Sequence, residues 1–204
     1  MEMKKILRDV VGPMQMYVGL LRGVNVGGKN KIKMADLKLL LENMGLTHVR
    51  TLLQSGNVVF ASSEAREWLE ARIQEEIGNA FGFKPNVMLR TAQEMKAIVA
   101  ECPYDAAVLK EGEGIQITMC KDEPSPDTAS ILSKGMQEVD EFQIQGREIY
   151  CLYRQSVLDS KLANNFQKLG SNVTTRNWNT MTKLAALAGE LDDFLQRENG
   201  NGND

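Results

Sequence analysis

Val49-Arg50-Thr51-Leu52-Leu53-Gln54-Ser55-Gly56-Asn57-Val58-Val59-Phe60-Ala61 reads as a β-hairpin. Two apolar, β-branched runs flank Gln54-Ser55-Gly56, a tight-turn signal. Upstream, Tyr17-Val18-Gly19-Leu20-Leu21 is a strand pattern. Between it and the hairpin, Leu37, Leu40, Leu41 and Met44 recur at helical spacing, and Gly45 supplies a stop. Downstream, Ser63 stands where a helix cap is needed, before Trp68, Leu69, Ile73, Ile77 and Phe81 at helical spacing. Gly82 ends that helix, and residues 85–89 supply a fourth strand. The order is β-α-β-β-α-β. It predicts a ferredoxin-like α+β fold, two helices on one face of a four-stranded antiparallel sheet.

The second half is less regular. A helix is expected over 93–102, a strand over 115–120 and a helix opened by Pro124-Ser125-Pro126-Asp127. A hairpin follows around Gln145-Gly146, then helices at about 158–169 and 180–195. The expected organisation is a ferredoxin-like subdomain over 15–91, followed by a second, smaller α+β subdomain over 92–196 packed against it, since no Ser/Gly-rich linker intervenes. Residues 1–14 fall outside both patterns as an extension or alternative start, and residues 197–204 read as a disordered tail.

The 204 residues carry a net charge of −3, unevenly spread: +5 over residues 1–50 and −8 over the rest. An acidic body argues against a protein that coats DNA, but permits a local basic site. No apolar run approaches the roughly 20 residues of a membrane span, and no secretory leader pattern opens the chain. Cys102, Cys120 and Cys151 are odd in number and far apart, with neither disulfide nor zinc spacing. These features predict a cytoplasmic protein without metal or cofactor.

Between the first strand and first helix lies Leu21-Arg22-Gly23-Val24-Asn25-Val26-Gly27-Gly28-Lys29-Asn30-Lys31. Glycines, cationic side chains and a following helix N-terminus together suit an anion. In the ferredoxin-like topology this loop shares one edge with the hairpin turn and with Gly82-Phe83-Lys84. The expected site therefore holds Arg22, Gly23, Asn25, Gly27, Gly28, Lys29, Asn30, Lys31, Gln54, Ser55 and Asn57. Well-formed turns, with Asn and Lys present only for solvation, are the plain alternative. Asn30 stands where a P-loop requires Ser or Thr for magnesium. The third strand, Asn57-Val58-Val59-Phe60-Ala61, lacks the aromatics of an RRM. No G-x-G-x-x-G follows the first strand.

Catalytic devices are scarce. His48 is the only histidine and reads as structural or solvent-facing. Arg176, Asn177 and Trp178, in the polar stretch before the last helix, could stack on a base or fork onto a phosphate. The same stretch reads equally as a helix cap.

Together the 21–34 loop segment, Gln54-Ser55-Gly56-Asn57-Val58-Val59-Phe60 and Thr175-Arg176-Asn177-Trp178 resemble the bacterial domain-of-unknown-function family 1697 over about residues 16–190. The resemblance implies a two-part α+β protein and carries over no catalytic residue. The expected function is binding of a phosphate-bearing ligand, a nucleotide or nucleic-acid segment, at the Gly-rich basic loop. An enzyme acting on a small phosphorylated or anionic metabolite is the alternative.

Overall fold

The computed structural model describes residues 12–136 and 139–200. The chain divides into two compact units, Met1–Ala97 with Leu184–Asp204, and Ile98–Lys183. In the first unit the elements run β1 (Gln15–Leu21), α1 (Met34–Asn43), β2 (Thr47–Leu52), β3 (Asn57–Ser62), α2 (Arg66–Phe81) and β4 (Val87–Thr91). The sheet order β2-β3-β1-β4, antiparallel throughout, is the ferredoxin-like order expected from the hairpin reading. α3 (Ala92–Ala100) follows β4 without a break.

Alternation decides which strand residues meet the two helices. Tyr17 and Leu21 of β1, Val58 and Phe60 of β3, and Val87 and Leu89 of β4 enter one core with Leu37 and Leu41 of α1 and Leu69, Ile73 and Ile77 of α2. Leu37, Leu41, Leu69, Ile73 and Ile77 have no exposed surface. At Gly19 a Cβ would stand 2.8 Å from Val58 Cγ2, so β1 and its neighbour pack with no side chain at that point. Arg72 of α2 stacks over Trp68 at 4.8 Å and donates to the Met44 carbonyl at 2.9 Å, which satisfies an orphan carbonyl at the end of α1. α2 starts after Ala65, not after Ser63, and no side chain caps it. The Ser62 hydroxyl instead accepts the Glu64 N–H.

The second unit contains β5 (Gly114–Cys120), α4 (Thr128–Ser133), β6 (Glu141–Gln145), β7 (Glu148–Tyr153), α5 (Lys161–Asn165), a 3-10 turn (Phe166–Leu169) and β8 (Val173–Asn177). α6 (Trp178–Gly200) follows β8 directly and is divided between the units, although the sequence pattern assigned the last helix wholly to the second. Residues 197–200 are helical where a tail is expected; residues 201–204 and most of the expected 1–14 extension lie outside the described residues.

β8 is the larger correction. Arg176 and Asn177 lie on a strand, and the sheet order β6-β7-β5-β8 repeats that of the first unit. The repetition extends to single hydrogen bonds. Leu21 N–H donates to the Gly56 carbonyl at 2.9 Å, and Cys120 N–H to the Arg147 carbonyl at 2.8 Å. Arg22 N–H donates to Asn86 and Lys121 N–H to Asn172, both at 2.9 Å. The sequence carries the same echo: Asn86-Val87-x-x-Arg90-x-x-x-x-Met95 against Asn172-Val173-x-x-Arg176-x-x-x-x-Met181. The residue before each helix caps it. Glu94 N–H donates to Thr91 Oγ1 at 3.1 Å, and Thr180 N–H to Asn177 Oδ1 at 2.9 Å. The second unit is thus a second β-α-β-β-α-β unit.

Candidate functional site

The Gly-rich loop is a small folded hairpin. Val26 and Lys29 form a β-bridge, and Lys29 N–H donates to the Val26 carbonyl at 3.0 Å. Between them Gly27 and Gly28 have φ of 57° and 76°, the two left-handed residues that a type I′ turn requires. A Cβ on either would meet nothing within 4 Å. Dihedral angle, not crowding, therefore selects glycine here.

Three asparagines hold this end of the sheet. Asn25, itself at φ 56°, accepts the Ile32 N–H at 2.9 Å and donates to the Ile32 carbonyl at 2.9 Å, as a strand neighbour would. Its amide nitrogen also lies 2.7 Å from the Gln54 carbonyl oxygen. Asn30 donates to the Gly23 carbonyl at 3.1 Å. Fully buried Asn57 donates to the Leu52 carbonyl and to Ser55 Oγ, at 3.1 and 2.9 Å. Gly56 fits because a Cβ there would stand 2.9 Å from Leu21 Cβ and 3.1 Å from Val24 Cβ. The loop, the β2–β3 turn and the start of β4 are joined at one end of the sheet.

Beside them opens a cavity of about 530 Å³, within the usual size range of small-ligand sites. Asn25, Gly28, Lys31 and Gln54 line it, all four expected from the sequence. Lys33 and Asp36, at the start of α1, line it too, with Ile32 and Phe81 as its apolar part. Sequence reasoning passed over these four. Phe81 was legible as the last residue before the Gly82 stop, at the end the topology assigns to the loop. Lys29, Lys31 and Lys33 are exposed, whereas Asn30 and Asn57 are spent on backbone groups. Lys84, expected on the same rim, pairs with Glu75 at 2.5 Å.

Arg176, Asn177 and Trp178 belong to the second unit, whereas the Gly-rich loop belongs to the first. Arg176 donates to Thr174 Oγ1 at 2.8 Å and to the Thr175 carbonyl at 2.9 Å. Burial lowers its guanidinium to about 10, so it stays charged at neutral pH. Asn177 is the cap of α6 and Trp178 its first residue. In the second unit, the place equivalent to the first cavity holds a smaller one of about 310 Å³, bordered by Asp122, Glu123, Thr128 and Lys168. His48 lies 3.2 Å from Glu198 and edge-on to Phe194, and it does not line the cavity beside the Gly-rich loop. Among the described residues, no group of three or more His, Cys, Asp or Glu is placed to hold a metal. No described helix is long and apolar enough to cross a membrane.

A loop of this sequence, stapled to a Gln-Ser-Gly-Asn turn in a ferredoxin-like frame, agrees with a family match over residues 14–150. The chain belongs to the family "Protein of unknown function (DUF1697)". Among solved structures, this DUF1697 protein is similar to the conserved bacterial protein SP0830 from Streptococcus pneumoniae. Identity is 21% with a TM-score of 0.65, over 86% of this chain and 99% of that one, a likeness of fold. An unknown protein from Galdieria sulphuraria, 11% identical over 88% of this chain and 92% of that one, superposes with a TM-score of 0.21 and carries no argument. No curated protein matches the chain.

Proposed function

We propose that this DUF1697 protein is a cytosolic binding protein for a phosphate-bearing ligand, a nucleotide or nucleic-acid segment, held beside the Gly-rich loop. The cavity bordered by Lys31, Lys33 and the first turn of α1 carries this reading. Two ammonium groups and the positive end of a ten-residue helix favour negative charge at one place. The other lining groups suit the remainder of a nucleotide: the Phe81 ring offers a stacking face, and the Asp36 carboxylate accepts hydroxyl or amine donors. Arg22 and Lys29 extend the positive rim. Asn25, Asn30 and Asn57 serve as the braces that hold this rim in shape.

Calorimetric titration of the full chain with ATP, AMP, inorganic phosphate and a single-stranded oligonucleotide tests the reading. Binding of at least one is expected, with at least a tenfold loss in the Lys31→Ala, Lys33→Ala double variant. Oligonucleotide binding would also weaken steeply with added salt. Absence of binding to all four, or binding indifferent to the double substitution, overturns it.

A further inference from the structure

The two sheets have four edge strands, β2, β4, β6 and β8. Exposed edges invite another strand, and proteins block them with bulges, charges or covering elements. β2 is irregular between Thr47 and Arg50, with His48 at φ 53°. On β4, the Glu70 carboxylate occupies the Leu89 N–H at 2.9 Å. β8 carries Arg176 and passes straight into α6.

β6 has none of these devices. Its pairing with β7 is regular over all five residues, and Glu-Phe-Gln-Ile-Gln contains no Lys, Arg, Pro or Gly. Its one charge, Glu141, sits at the end of the strand, 3.1 Å from Arg154. Glu141, Gln143 and Ile144 are exposed, and no described strand pairs with the outer side.

The register fixes what that outer side presents. The two-residue turn Gly146-Arg147 closes on the Gln145–Glu148 pair, with Gly146 at φ 55° as a type II′ turn requires. Alternate residues of an antiparallel ladder bond the same neighbour. Glu141, Gln143 and Gln145 therefore turn their backbone groups toward β7. Phe142 and Ile144 direct theirs outward.

We propose that β6 is a dimerisation edge, and that its occupant is β6 of a second copy of this chain. The strand is its own complement about Gln143. Run antiparallel, Phe142 faces the partner subunit's Ile144 and Ile144 faces the partner subunit's Phe142. Each of these two pairs exchanges both backbone hydrogen bonds, and the two sheets become one of eight strands. Phe142 already packs on the core of its unit, and Ile144, two residues on, shares its face and is 36% exposed. Pairing covers Ile144 with an aromatic and β-branched contact of the favourable cross-strand kind. On the opposite face Gln143 meets the partner subunit's Gln143, and Glu141 meets the partner subunit's Gln145, so no like charges oppose. Such a contact is isologous and closes at two copies.

Sedimentation of the full chain over a wide concentration range tests this. The expected mass rises to twice that of the chain, and Ile144→Lys returns it to one. Under mild oxidation Gln143→Cys links two chains, while Glu141→Cys does not, since its two copies stand about 14 Å apart at roughly 3.4 Å per residue. A monomer at every concentration overturns the proposal. So does a dimer that survives Ile144→Lys, or one in which positions 143 and 141 link equally.

Discussion

Asn25 joins the Gly-rich loop to the β2–β3 turn: its amide nitrogen stands 2.7 Å from the carbonyl oxygen of Gln54, while the same side chain pairs with both backbone groups of Ile32. Asn25→Gly keeps the left-handed backbone and removes these bonds. A loss of about 1–3 kcal/mol is expected for the carbonyls and N–H left behind. Asn25→Ala adds about 1–2 kcal/mol for the positive φ. Urea unfolding of the two variants measures both parts, and each variant should bind nucleotide more weakly with Lys31 and Lys33 unchanged.

The glycines of the two turns should respond differently. Gly56→Ala drives a methyl against Leu21 and Val24, so its cost exceeds that of Gly27→Ala and Gly28→Ala, where space is open. The latter pair should cost only the left-handed penalty, about 1–2 kcal/mol each. Thermal unfolding of the three variants ranks them. An equal cost at all three would contradict the packing at Gly56.

Asp36 gives a test of ligand class. It lines the cavity beside Lys33 in the first turn of α1. Asp36→Asn removes a negative charge, so inorganic phosphate should bind more tightly and a nucleotide held through its hydroxyls less so. Stability should fall by only about 0.3–1 kcal/mol, the worth of a carboxylate at a helix start. Calorimetric titration with phosphate and AMP separates the two effects.

Glu94 predicts an acid-sensitive step. Burial raises its carboxyl, but the Thr91 N–H and the Arg66 guanidinium, 2.6 Å away, outweigh that and hold it below its ordinary value of 4.5. A depressed folded value contributes stability above the unfolded value, and that contribution is lost as pH falls through the folded one. Denaturant midpoints should therefore drop in the native chain below about pH 4.5. In Glu94→Gln this component should be absent, leaving a shallower fall.

The ferredoxin-like unit was legible because its signals are local. The hairpin closes within a few residues, α1 and α2 show their apolar stripes, and Gly82 at φ 79° ends α2 where a stop was read. β8 was not. Val173-Thr174-Thr175-Arg176-Asn177 has one apolar residue, and its partner β5 is more than fifty residues away. Its strand character comes from that partner: Thr118 and Thr175 hydroxyls meet at 2.7 Å across the pair. The repeated Asn-Val-x-x-Arg spacing held the missing signal. At the site, residue types alone marked Asn25, Asn30 and Asn57 as ligand donors. Which backbone groups they serve became visible only once the loop had folded.

The matched bonds Arg22 to Asn86 and Lys121 to Asn172 anchor two connections of opposite character. The connection after β1 is glycine-rich and cationic; the one after β5 is proline-containing and acidic, with Asp122, Glu123 and Asp127. Two copies of one scaffold thus present opposite charge at equivalent places, so a ligand suited to one is repelled by the other.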